Sequence, residues 1–211
     1  DRPINITNEQ EIQTEVAAIV DKYGRIDVLI NNAAMNPAAD SPEAKNQFLP
    51  YEDYSIDLWR KELEVNLTGM MICTKAVAAV MIKQQAGSII NIASDLAIDA
   101  HDHRVYNDPD NRRFKSIGYT TTKSAVLGFT RQWAARLGQY KVRVNVLSPI
   151  GVHVETDSLT PDFIKRYGGQ NMFGRMSHPT DYFGPIIFLC SEASAFMTAQ
   201  NLVIDGGKTA W

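Results

Sequence analysis

A basic excess, clustered cysteines, long apolar runs and internal repeats are all missing from this sequence, and each absence removes a class of function. The 211 residues carry a formal net charge of −3, so no cationic surplus is available to gather nucleic acid. Of two cysteines, Cys73 and Cys190, neither has a His or Cys at metal-ligand spacing, and both are expected as small buried apolar residues. His101, His103, His153 and His178 are too scattered to suggest a metal site and are expected at the surface. No apolar segment reads as long enough to span a bilayer. The opening DRPINITNEQ has neither the basic nor the apolar region of a signal peptide, which gives a cytoplasmic expectation. What remains is 45% hydrophobic and 21% charged, enough for one core and a single domain over 1–211.

The apolar pattern alternates between two periods. Residues 3 to 6 read as a short strand. Thr7 then opens a helix with Gln10 as its capping-box partner, and Ile12, Val16, Ile19 and Tyr23 continue it to Gly24. IDVLI (26–30), SIINIA (88–93), VRVNVLS (142–148) and NLVID (201–205) are compact apolar runs between turn residues, hence buried strands. Helices are expected over 54–84, closed by Gly87, and over about 118–137, 161–168 and 179–192. Strands without polar alternation, each followed by a helix, indicate an α/β fold with a parallel sheet covered on both faces. Two stretches break the pattern: a surface excursion over 35–52, and a polar insertion over 99–116 centred on DHRVYNDPDNRRF.

Ligands of open parallel sheets sit beyond the carboxyl ends of the strands, so the residues following each strand carry the chemistry. These are NNAA (31–34), Ser94 after Ala93, and SPIG (148–151). In SIGYTTTKSAVLGF (116–129), Tyr119 and Lys123 stand at i and i+4, on one helix face. Taken alone, the pair would be a packed tyrosine and a solvated lysine.

Taken together, GRIDVLINNAA, EVNLTG with Asn66, GSIINIAS with Ser94, the Tyr119–Lys123 helix, VRVNVLSP and NLVIDGG resemble the short-chain dehydrogenase/reductase family along nearly the whole chain. Six motifs in order are far more specific than a lone YxxxK. The resemblance implies a Rossmann-like three-layer fold, NAD or NADP as cofactor, and interconversion of an alcohol and a carbonyl. It implies that Tyr119 is the acid/base, its pKa lowered by a neighbouring ammonium, and that Lys123 also holds the nicotinamide ribose. Ser94 would bind the reacting oxygen, and Asn66 would anchor a water leading protons toward Lys123. Asn32, Ala33 and Ala34 would lie along the adenosine half. Pro149, Gly151 and Val152 would border the carboxamide, and Asn5 and Ile6 the adenine.

Several features depart from the family pattern. The gap between Ser94 and Tyr119 is wider than usual because of the insertion, whose Arg104, Arg112 and Arg113 suit an anionic or sugar-like substrate or belong to a solvated loop. With the ending DGGKTAW, the insertion looks similar to dehydrogenases associated with flagellin or surface-polysaccharide modification. NNAA replaces NNAG, and Ile150 stands where the family has glycine. No TGxxxGxG turn occurs. That turn lays the cofactor pyrophosphate on a helix N-terminus, and the strand–turn–helix–strand unit carrying it runs to about 30 residues. The sheet is therefore expected to be N-terminally incomplete, with its first two strands absent and the strand at 3–6 left without a neighbour.

The expected partners are a small-molecule substrate and further copies of the chain, as a homodimer or homotetramer, without nucleic acid or membrane. Two rivals stay open at this stage: a catalytically inactive relative serving as a binding or assembly module, and a sugar-nucleotide epimerase or dehydratase.

Overall fold

The computed structural model describes residues 3–36, 47–106, 113–154 and 159–211. Four parallel strands, β1 (Val28–Asn31), β2 (Gly87–Ile92), β3 (Val142–Pro149) and β4 (Asn201–Ile204), pair in chain order. Successive side chains of a strand point to opposite faces, and both faces are packed. On one, Ile89, Val142 and Val144 meet Val77, Ala78 and Met81 of α3 (Met70–Gln84) and Ala134 and Leu137 of α4 (Ile117–Leu137). On the other, Ile90 and Leu147 meet Leu189 of α6 (Phe183–Cys190). This is the three-layer arrangement expected from the sequence.

The strand expected at 3–6 does not form; those residues are irregular. A parallel strand needs a hydrogen-bonded neighbour, and β1 pairs only with β2 among the described strands. The segment instead builds the start of α1 (Glu9–Tyr23). Asn5 Oδ1 accepts from the backbone and hydroxyl of Thr7, and the cap is Asn8, not Thr7, with its side chain accepting from Glu11 N at 3.2 Å. Ile6 packs against Gly69, where a Cβ would collide with it.

The long helix expected over 54–84 is three segments on one axis: α2 (Ile56–Leu63), a π-helical turn Glu64–Gly69, and α3. Its C-cap is Gln85 in the left-handed region, so the chain stops before Gly87. Contrary to the bilayer expectation, Ile56–Gln84 is by length and composition apolar enough to cross a membrane. Here its Met70, Val77, Ala78 and Met81 are spent on the sheet and α4. Both cysteines are half-buried and not fully enclosed as expected.

Two polar tethers cross the layers. Asn31 Nδ2 donates to Thr74 Oγ1 and Asn91 Oδ1, and Asn91 Nδ2 donates to Thr130 Oγ1 at 2.9 Å. This buried ladder ties β1 and β2 to α3 and α4, with each amide hydrogen-bonded. The second centres on Glu62, fully buried, which accepts from Tyr54, Ser116 and Gln47. Gly118 lets α4 approach it, since a Cβ there would overlap the Glu62 carboxylate.

Candidate active site

Tyr119 and Lys123 lie on the first turns of α4. Ser116 caps the helix with its hydroxyl 3.0 Å from Tyr119 N, and its bond to Glu62 Oε1 (2.7 Å) fixes that end to α2. Lys123 is 4% exposed and donates to the carbonyl of Ile92, the last residue of β2, at 2.7 Å. Its ammonium stands 5.6 Å from the Tyr119 ring centroid. Burial, with the nearby Lys115 charge, holds its pKa down to about 8.

The Tyr119 phenol does not behave as expected. Its pKa is pushed up to about 12, chiefly because burial penalises the phenolate; Ser94 hydrogen bonding pulls it down and the Asp95 charge pushes it up. Desolvation outweighs the nearby ammonium, so the resting side chain is a phenol.

Ser94 follows β2 and is 6% exposed. Its hydroxyl donates to Asp95 Oδ1 at 2.8 Å and accepts from Leu96 N at 3.2 Å. One lone pair is left to face the cleft. Asp95 Oδ2 in turn receives Lys208 Nζ at 2.6 Å, a pair enclosed on both sides. Lys208 reaches it because Gly206 and Gly207 adopt φ values of 66° and 86°, a left-handed path that turns the chain just after β4.

Asn66 sits in the π-helical turn, 2% exposed. It accepts from Met35 N at 2.6 Å and donates to Thr122 Oγ1 at 3.0 Å. It therefore joins the segment beyond β1 to α4, one residue before Lys123. Single π turns are common at functional positions.

A cleft of about 310 Å³ is lined by Ser94, Asp95, Tyr119, Pro149, Gly151 and Val152, with His101, Tyr106 and Lys115 from the insertion. Gly151 N donates to Tyr167 Oη at 3.2 Å. Ile150, in the family's glycine position, packs with Val105, Tyr167 and Met176, clamping the insertion to the loop after β3.

The cleft thus unites Ser94, Tyr119, Pro149, Gly151 and Val152, with Lys123 and Asn66 packed behind. Asn32 and Ala33 are exposed and Ala34 half-buried past β1, on the way to the cleft-lining Asn36. Asn5 and Ile6 are not brought there. Of the insertion's arginines, Arg104 is exposed and forked onto Asp102 at 2.8 Å. It is neutralised away from the cleft, which for this arginine is the solvated-loop alternative and not the substrate contact. Arg112 lies outside the described residues, and Arg113 is not among the cleft-lining residues. The histidines are less scattered than expected: His101 and His103 ring centroids are 5.4 Å apart, and His153 and His178 5.7 Å. His101 is a cleft residue rather than a surface one.

Sequence reasoning did not find Asp95, His101, Lys115 or Lys208. Asp95 had a signal, standing next to Ser94. The others converge only through tertiary structure.

A family model described as enoyl-(acyl carrier protein) reductase matches residues 2–209. The chain is 32% identical over 205 residues to a 3-oxoacyl-(acyl-carrier-protein) reductase of Thermotoga maritima, covering 97% of this chain and 74% of that one. It is 33% identical over 207 residues to a trans-4-hydroxycyclohexanecarboxylate dehydrogenase of Sinomonas cyclohexanicum, covering 98% and 70%. Among solved structures, a short-chain dehydrogenase of Leptospira borgpetersenii with bound NAD+ superposes with TM-score 0.82 at 30% identity, covering 97% and 73%. A gluconate 5-dehydrogenase of Burkholderia cenocepacia, in complex with NADP and tartrate, gives 0.83 at 27% identity, covering 98% and 74%. With its parallel sheet and Ser94, Tyr119 and Lys123 gathered at the carboxyl ends of the strands, the chain belongs to the short-chain dehydrogenase/reductase family.

Proposed function

We propose that this protein is an NAD(P)-dependent oxidoreductase interconverting an alcohol and a carbonyl at the Ser94–Tyr119–Lys123 cleft. The observation that carries the reading is the placement of half-buried Tyr119 with Ser94 in one cleft, with the ammonium of Lys123 behind it. Relatives named for 3-oxoacyl reduction, hydroxycyclohexanecarboxylate oxidation and D-threitol oxidation support the reaction class, and structures with NAD+ or NADP bound support the cofactor class.

The residues present fit the nicotinamide end of such a cofactor. Lys123 is a buried ammonium with three donors and, among the described residues, one hydrogen-bond acceptor, Ile92 O, so two donors are left for ribose hydroxyls. Tyr119, Pro149, Gly151 and Val152 would border the nicotinamide, with Asn32, Ala33 and Ala34 toward the adenosine half. When bound, the nicotinamide supplies the hydride acceptor or donor.

The chain's own part is proton management. In carbonyl reduction the Tyr119 phenol gives its proton to the oxygen as that oxygen gains negative charge, acting as general acid. In alcohol oxidation the phenol must first give up its proton, and the Tyr119 phenolate then takes the proton of the alcohol hydroxyl. Ser94, whose proton is held by Asp95, has one lone pair left, with which it accepts from the Tyr119 phenol and so orients it. Asn66 holds the segment beyond β1 against α4, so Lys123 and that segment keep one spacing. A homodimer or homotetramer built through the long helices belongs to the same reading; a stable monomer by size exclusion would count against it.

The test is NAD(P)H oxidation with a panel of oxo-acids, sugars and small ketones, comparing wild type with Tyr119→Phe. Unchanged turnover in the variant would remove Tyr119 from the acid/base role.

A further inference from the structure

The insertion delivers a second lysine to the cleft. Lys115 Nζ lies 4.4 Å from the Tyr119 ring centroid and 5.8 Å from that of Phe48. Its ammonium donates to a neutral acceptor, Asn36 Oδ1, at 2.6 Å, and no carboxylate of the described residues forms an ion pair with it. The carboxylates nearest in influence, Asp95 and Glu62, are otherwise engaged. Asp95 is taken by Lys208 and Ser94. Glu62 accepts from Tyr54, Ser116 and Gln47. The chain thus places against its acid/base residue an ammonium that, among the described residues, forms no ion pair. Burial holds that ammonium's pKa down to about 8, so it still carries charge at neutral pH.

Beside it, His101 has both ring nitrogens buried and, among the described residues, without a hydrogen-bond partner. Its ring is held between those of His103 (5.4 Å) and Tyr106 (4.8 Å). Burial and the surrounding lysines keep it neutral, with its pKa lowered to about 3, so it offers one donor and one acceptor. Buried polar atoms in folded proteins normally find partners; two on one ring that lines the cleft leave an opening for a ligand that supplies them as the ring turns.

We infer that Lys115 and His101 form a carboxylate subsite beside Tyr119, so that the substrate is a small oxo-acid or hydroxy-acid. This rests on the proposed oxidoreductase reading of the same cleft. One carboxylate oxygen meets the Lys115 ammonium and the other the His101 N–H, while the second imidazole nitrogen accepts from a neighbouring hydroxyl. The N-terminus of α4 adds its positive end to the same region. A cleft of about 310 Å³ is at the small end for ligand pockets, which fits a compact polar acid. A phosphate dianion is less suited, since the guanidinium fork that would match it, Arg104, is turned onto Asp102.

The experiment is calorimetric titration of the purified full chain with sodium malonate, malonamide and inorganic phosphate at constant ionic strength and pH 7. Malonate should saturate one site, malonamide should not bind, and phosphate should bind more weakly than malonate. Lys115→Met should weaken malonate at least tenfold, Lys115→Arg should restore most of it, and His101→Leu should weaken it with circular dichroism unchanged. Equal binding of malonamide, tighter binding of phosphate, or malonate affinity indifferent to Lys115→Met would each overturn the subsite. Tyr119→Phe separates the two ideas. If it loses turnover and keeps malonate, both stand. Lys115-dependent malonate binding in a protein that reduces no carbonyl would sink the activity and leave the subsite.

Discussion

The Lys208 ammonium lies 2.6 Å from the Asp95 carboxylate in a pair 6% and 2% exposed by side chain. It couples the C-terminal turn to the residue that receives the Ser94 proton. Their effect on the proposed chemistry is orientation.

Removing one partner of a buried ion pair leaves a charge without compensation, at about 3–5 kcal/mol. Lys208→Met is therefore expected to lower urea stability by an amount of that order. It should also reduce turnover through Ser94, because the Asp95 carboxylate is then free to reorient. A midpoint unchanged from wild type would show that Asp95 finds another partner.

Tyr119→Phe is expected to lower turnover by about 10²–10⁴-fold, the range of a positioned general acid. Because burial holds the phenol up to about 12, the acid form persists across neutral pH. The reduction rate should therefore stay level from pH 6 to 9 as far as this group is concerned. A pH–rate profile falling through pH 7 and traced to Tyr119 by loss of that limb in the variant would contradict the structure.

Asn66 makes a separable prediction, because its two ends do different things. Its carbonyl accepts from Met35 N and its amide donates to Thr122. Asn66→Leu strands both partners and should cost about 1–3 kcal/mol for each buried group left unsatisfied. Asn66→Asp keeps the acceptor for Met35 N but puts an unpaired carboxylate in a site 2% exposed, so it should cost at least as much by thermal or urea unfolding. A smaller loss than for Asn66→Leu would mean that the site admits water.

Legibility in the sequence followed the kind of interaction. IDVLI, SIINIA, VRVNVLS and NLVID were readable because apolar runs between turn residues encode buried strands locally. Ser94, Tyr119 and Lys123 were readable through motif order. The segment at 3–6 was misassigned because a strand depends on a neighbour that composition does not report. Tyr119 was expected acidic from its lysine neighbour, yet desolvation is a property of the assembled cleft. Lys115 and His101 looked like members of a polar loop. Their meaning depends on where the insertion returns, which Ile150 and Val105 decide by packing.

The last prediction concerns pH. Lys115 and Lys123 are each lowered from 10.5 to about 8, while the unfolded chain keeps the ordinary lysine value. Below about pH 8 both states hold the protons and stability does not change on their account. Between about 8 and 10.5 the unfolded state binds more protons, so these lysines make stability rise with pH. The groups facing Lys115 are Glu62, Asp95, Asn36, Tyr119, His101 and Lys123. Burial raises the pKa of Tyr119, Cys73 and Cys190, and these contribute with the opposite sign as the unfolded chain ionises. The lysine effect is therefore read as a difference. Urea stability of Lys115→Met minus wild type should be most positive at pH 7 and should shrink steadily toward pH 10. A difference that is flat in pH would show that Lys115 keeps an ordinary pKa, and with it that the ammonium is not held in the buried cleft.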